Sequence, residues 1–122
     1  KKMGRLYNKY FIGIDELQLP VQKTEYAENI YWVYGLVLKN KSVKKVSEII
    51  EYLKKNGIGS RNFFYPMHKQ PILIRKGMFE NLSLPISEKL SNNGFYIPSG
   101  LNLTEKEILR VAEVLRNYFT LK

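Results

Sequence analysis

Ile30-Tyr31-Trp32-Val33-Tyr34-Gly35-Leu36-Val37-Leu38 is the longest apolar run in the chain, and its reading decides the fold. Most of its side chains are aromatic or β-branched, which suits a pleated surface, and no polar residue interrupts it. That pattern predicts a strand covered on both faces, at the centre of a sheet. It is far shorter than the roughly 20 apolar residues that cross a bilayer, and no signal-like apolar core follows the basic N-terminus.

Working outward from this strand, Asn40 and Lys41 predict a turn and Ser42 a helix cap. Val43, Val46, Ile49, Ile50 and Leu53 then fall on one helical stripe, and Asn56-Gly57 supplies a left-handed stop. Gly59 to Phe64 reads as a second strand ended by Pro66, with alternation placing Phe63 rather than Phe64 in the core. Met67 to Ser83 has no sustained period and is expected to be a long loop with room for a helical turn. Pro85 opens a short helix carrying Ile86 and Leu90, Asn93-Gly94 ends it, and Phe95 to Ile97 returns as a strand before Pro98.

Thr104 and Glu107 stand at capping-box spacing before the stripe Ile108, Val111, Ala112, Leu115 and Phe119, which predicts the last helix. Upstream, Leu6, Tyr7, Tyr10 and Phe11 mark an amphipathic helix ending near Gly13, and Leu17 to Glu28 reads as an irregular or briefly extended connection. The resulting order of helices and strands implies an α+β domain, in which helices pack against a small, mostly antiparallel sheet.

The 122 residues fit one domain, long enough to bury roughly two-thirds of the surface that the unfolded chain exposes. A hydrophobic fraction of 44% with 25% charged residues is that of a folded, soluble protein. There is no cysteine, which excludes disulfides, thiolate zinc sites and a cysteine nucleophile, and suits a reducing cytoplasm. The chain opens on Lys1 rather than methionine, so it is expected to be a piece of a longer protein. A net charge of +9 predicts attraction to polyanions, anionic lipid or phosphorylated metabolites; with nine tyrosines to stack on bases, it leaves open a small basic nucleic-acid-binding module.

Little here equips the chain as a complete enzyme. His68 is the only histidine, so a catalytic triad has one possible centre and a multi-histidine metal site has none. Gly57-Ile58-Gly59 begins a dinucleotide fingerprint, but position 62 is Asn62 and the segment follows a helix, not a strand. Glu48, Glu51, Glu105 and Glu113 lie on helix faces as solvated partners for lysine, and the clusters Lys39, Lys41, Lys44, Lys45 and Lys54, Lys55 fit phosphate contacts and a solvated basic face equally well. Phe63-Phe64-Tyr65-Pro66-Met67-His68, with Arg61 beside it, is the candidate ligand edge: rings, a stiff proline, a cation and an imidazole within one loop.

Gly57-Ile58-Gly59-Ser60-Arg61-Asn62-Phe63-Phe64-Tyr65-Pro66-Met67-His68-Lys69-Gln70-Pro71 resembles the small-domain loop of the DegT/DnrJ/EryC1/StrS sugar aminotransferases. Gly94-Phe95-Tyr96-Ile97-Pro98-Ser99-Gly100-Leu101, followed by Leu103-Thr104-Glu105, resembles the family's closing pattern of strand, turn and final helix. With Tyr31-Trp32-Val33-Tyr34-Gly35-Leu36-Val37, the likeness covers nearly the whole chain and is strongest to the perosamine-forming group.

The resemblance implies the C-terminal small domain of a fold-type-I, pyridoxal-phosphate-dependent enzyme. Such an enzyme moves an amino group from glutamate onto a keto-sugar nucleotide, with GDP-4-keto-6-deoxymannose as the expected substrate. It further implies a homodimer whose cofactor, reactive lysine and acidic partner belong to a larger N-terminal domain. No lysine here sits in a matching motif, so the stretch alone is expected to hold no cofactor and to be inactive, with no membrane and no specific nucleic acid among its partners. Arg61, Phe64, Tyr65 and His68 are then expected to frame the substrate: a guanidinium can fork onto phosphate or carboxylate, and the rings can cover a sugar.

Overall fold

The computed structural model describes residues 1–39, 42 and 44–120. Among these residues, four antiparallel strands form one sheet in the order β1-β2-β4-β3: β1 (Leu17–Gln18), β2 (Tyr34–Leu38), β3 (Arg61–Asn62) and β4 (Gly94–Ile97). Five α-helices accompany it among the described residues: α1 (Lys2–Phe11), α2 (Val46–Lys55), α3 (Pro71–Arg75), α4 (Pro85–Asn93) and α5 (Glu105–Thr120). The class is α+β, as the order of elements in the sequence implies. No helix among the described residues is long and apolar enough to cross a membrane.

Alternation along the two inner strands decides which face becomes the core. Tyr34, Leu36 and Leu38 of β2, with Phe95 and Ile97 of β4, join Tyr7 and Phe11 of α1, Ile49 and Leu53 of α2, and Ile108, Val111 and Leu115 of α5. Helices α1 and α5 pack on each other, and arginines of α5 finish its neighbours. Arg116 donates through Nε to the Tyr10 carbonyl oxygen at 2.6 Å and through its other nitrogen to that of Ile12, at the end of α1. Arg110 donates to the Asn56 carbonyl oxygen at 3.0 Å, at the end of α2. Both cations meet carbonyls that a helix end leaves without partners.

Within the core lies one polar knot. Asn8 donates from Nδ2 to the Tyr31 hydroxyl at 3.0 Å and accepts at Oδ1 from the Tyr34 hydroxyl at 2.5 Å. The Tyr7 hydroxyl donates to the Pro98 carbonyl oxygen at 3.0 Å. Burial pushes the phenols of Tyr7 and Tyr34 well above the ordinary tyrosine range, so they stay neutral donors.

Several expectations are corrected. The apolar run does not extend from Ile30: β2 begins at Tyr34, while Ile30 and Trp32 are exposed. The break falls at Tyr31, which adopts φ 54 and donates its N–H to Asn29 Oδ1 at 2.7 Å, a side-chain bond that competes with the ladder. Its ring occupies the space that a Cβ at Gly4 would need. Ser42 does not cap α2, which starts at Val46; Ser42 Oγ accepts the Lys44 N–H at 3.2 Å, and Glu48 reaches back to the Lys45 N–H at 3.2 Å. The expected turn at Asn40 and Lys41, and the place of Val43 on the stripe, lie outside the described residues.

The expected strand from Gly59 to Phe64 contracts to Arg61–Asn62, and the presumed long loop holds a 3-10 turn at Met67–Lys69 and helix α3. Within the connection expected to be irregular or briefly extended, Leu17 and Gln18 take the extended form, pairing with Leu38 and Val37. By contrast, Gly57 has φ 73 at the end of α2, and Thr104 and Glu107 close a full capping box: the Thr104 N–H reaches Glu107 Oε2 at 2.8 Å and the Glu107 N–H reaches Thr104 Oγ1 at 3.3 Å.

Candidate functional site

The loop singled out in the sequence leaves the sheet from its edge strand. Arg61 pairs with Tyr96 and Asn62 with Phe95, and the Phe63 N–H continues the ladder to the Gly94 carbonyl oxygen at 3.0 Å. Phe63 is half-buried, more so than Phe64, but on the face opposite the main core. Its ring rests where Cβ atoms at Gly35 and Gly94 would stand, 2.8 Å from the former. Tyr96 shares that face, with ring centroids 5.9 Å from Phe63 and 5.8 Å from Phe64. Two glycines in adjacent strands thus form the notch that seats Phe63 and lets Phe64 pass over Tyr96.

Pro66 ends the extended stretch, and Pro71 occupies the first turn of α3, where its missing N–H is no loss. Three of the four expected site residues stay at the surface: Arg61 is exposed, Phe64 is 68% exposed and Tyr65 56% exposed. The fourth turns inward. His68 is 6% exposed and its Nε2 lies 3.1 Å from Glu88 Oε1 on α4. Lys69 donates to the other oxygen of Glu88 at 2.6 Å, and the Leu84 N–H reaches Oε1 at 3.4 Å.

Lys69 first, then His68 and the Leu84 amide, hold the Glu88 carboxyl at about 2, well below the ordinary range. A carboxylate so saturated is a poor proton acceptor at neutral pH. It fastens the 3-10 turn to α4. Nothing in sequence spacing marks Glu88, because its partners stand 20 and 19 positions away. The same holds for Tyr96, whose ring meets the loop only once β3 and β4 have paired.

Beside the loop opens a groove of about 580 Å³. Asn62, Phe63 and Tyr65 form one wall, Lys44, Lys45 and Ser47 before and within α2 another, and Ser91, Asn92 and Asn93 at the end of α4 a third. Its amide, hydroxyl and ring groups suit a polar ligand. Among the described residues no three histidine, aspartate or glutamate side chains gather as metal ligands.

The architecture, a four-stranded antiparallel sheet with helices, is that of known aminotransferases. Helicobacter pylori PseC, an aminotransferase involved in the biosynthesis of pseudoaminic acid, superposes with a TM-score of 0.82 at 16% identity, over 97% of this chain and 31% of that one. The sequence pattern of the DegT/DnrJ/EryC1/StrS aminotransferase family matches residues 1–116, and the chain belongs to that family. It is 28% identical over 89 residues to the GDP-perosamine synthase of Vibrio cholerae, covering 73% of this chain and 24% of that protein. It is also 28% identical over 122 residues to EpsN, a proposed pyridoxal phosphate-dependent aminotransferase of Bacillus subtilis, covering 98% of this chain and 31% of that protein. The chain therefore spans less than a third of the length of these relatives.

Pyridoxal phosphate requires a lysine amine, a carboxylate for its ring nitrogen and a cradle for its phosphate. The residues around the loop do not fit it alone: the amine of Lys69 is engaged by Glu88, and Glu88 is turned to that lysine and to His68.

Proposed function

We propose that this chain is the C-terminal small domain of a pyridoxal-phosphate-dependent sugar aminotransferase, which carries an amino group from glutamate to a keto-sugar borne on a nucleotide. We assign GDP-4-keto-6-deoxymannose as the substrate, giving GDP-perosamine, on the likeness to the Vibrio cholerae enzyme. The observation that carries the reading is the family match over residues 1–116, in a chain covering only 24–31% of its curated relatives. The enzyme works in the cytoplasm as a homodimer, and the larger domain holds the cofactor, which supplies the electron sink for the transfer. This stretch alone is inactive.

In this reading the chain binds and orients. Arg61 offers forked, charge-assisted hydrogen bonds to a phosphate or carboxylate. Phe64 and Tyr65 cover the sugar and shed water from it, with the Phe64 ring backed by Tyr96 at 5.8 Å. His68 acts from behind by fixing the loop, through the contact at 3.1 Å to Glu88. Three tyrosines, Tyr7, Tyr31 and Tyr34, are buried, and Lys1, Lys2, Lys55 and Lys69 are ion-paired, which leaves less for a nucleic-acid surface than the composition promised.

The test is a substrate panel offered to the family-length protein with glutamate and cofactor. Amination of GDP-4-keto-6-deoxymannose in preference to thymidine- and uridine-linked keto-sugars is expected. Preference for another nucleotide would overturn the substrate, and no amination of any would overturn the function.

A further inference from the structure

Helix α4 is built inside out. Successive residues of a helix lie 100° apart, so Ile86 and Leu90 share one face and Glu88 stands some 200° from Ile86, on the other side. The side bearing Glu88 faces the domain, where Glu88 meets buried His68 at 3.1 Å, while Lys89 stays at the surface. The apolar side faces out: Ile86 is 76% exposed and Leu90 37% exposed, and with Leu84 and Pro85 they line an apolar hollow of about 430 Å³. A surface helix of a globular domain does the opposite, as α1, α2 and α5 do here, each burying three or more residues. Helix α4 buries none.

We infer that the outward face of α4 is an interdomain contact, covered by an apolar surface of the larger domain of the same polypeptide. This rests on the function proposed above. The relatives possess the polypeptide to cover it, since more than two thirds of their length lies beyond the part matched here. The hollow beside Ile86 accepts one or two apolar side chains, while the Glu88 clamp keeps α4 from rotating that face inward. The candidate substrate loop and the docking face are thereby joined through one helix.

Amide hydrogen exchange over residues 84–93, in the 122-residue chain and in the family-length protein, tests this. Exchange about tenfold slower or more in the longer protein is expected, together with loss of that protection in Ile86→Glu, a change that leaves the melting of the short chain as it was. Equal exchange in both forms, in a longer protein that binds cofactor and aminates its substrate, would overturn the docking and leave the function standing. Protection that grows with the concentration of the short chain would show a second copy as the occupant and overturn it as well. A longer protein that neither binds cofactor nor turns over would remove the functional reading and the docking with it.

Discussion

His68 Nε2 and Glu88 Oε1 lie 3.1 Å apart, joining residues 20 positions distant and fixing the 3-10 turn at Met67–Lys69 to α4. The carboxyl of Glu88 titrates at about 2 when folded, against an ordinary 4.5. A carboxylate depressed on folding stabilises the fold at every pH above its unfolded value, and that contribution fades as pH falls from about 4.5 towards about 2. Backbone NMR resonances of Met67, His68 and Lys69 are therefore expected to move within that window in the wild type and to stay flat there in Glu88→Gln. The same titration in both would show that Glu88 does not hold the turn.

The notch under Phe63 predicts a coupling. Gly94→Ala places a methyl group against the Leu90 carbonyl oxygen and the Phe63 ring, and Gly35→Ala places one 2.8 Å from that ring. Each substitution is expected to cost about 1–3 kcal/mol in urea unfolding. Phe63→Ala combined with Gly35→Ala should cost less than the sum of the two, whereas additive costs would deny the contact.

Asn8 serves two hydroxyls at once. Asn8→Ala leaves those of Tyr31 and Tyr34 without this partner inside the core, and Tyr34→Phe leaves Asn8 Oδ1 without its donor. Roughly 1–3 kcal/mol is expected for each, and the double variant should fall well short of the sum, because both remove the same bond. Thermal unfolding of the three variants decides it.

The parts legible in the sequence are those set by short-range chemistry. The α5 stripe with its Thr104–Glu107 box, the glycine stop at Gly57 and the inner strand through Leu36 depend on neighbours within a few residues. What was hidden depends on distant ones. Tyr31 leaves the apolar run because its ring packs where Gly4 has no Cβ and its hydroxyl meets Asn8. Phe63 alternates correctly, yet lies on the second face of the sheet, because the glycines that seat it are Gly35 and Gly94. The candidate loop was visible as residue types, but the division between exposed Arg61, Phe64 and Tyr65 and inward His68 was set by Glu88, an unremarked residue in a helix whose polar side faces in.

Arg61 and Tyr65 are the residues proposed to form the rim of the sugar-nucleotide site. In the family-length protein, Arg61→Ala and Tyr65→Ala are expected to raise KM for the keto-sugar nucleotide by about tenfold or more, near the value of one charge-assisted hydrogen bond or one covering ring. The half-reaction with glutamate should be unchanged in both. Unaltered KM for the sugar nucleotide in both variants, or equal loss in the two half-reactions, would contradict that role.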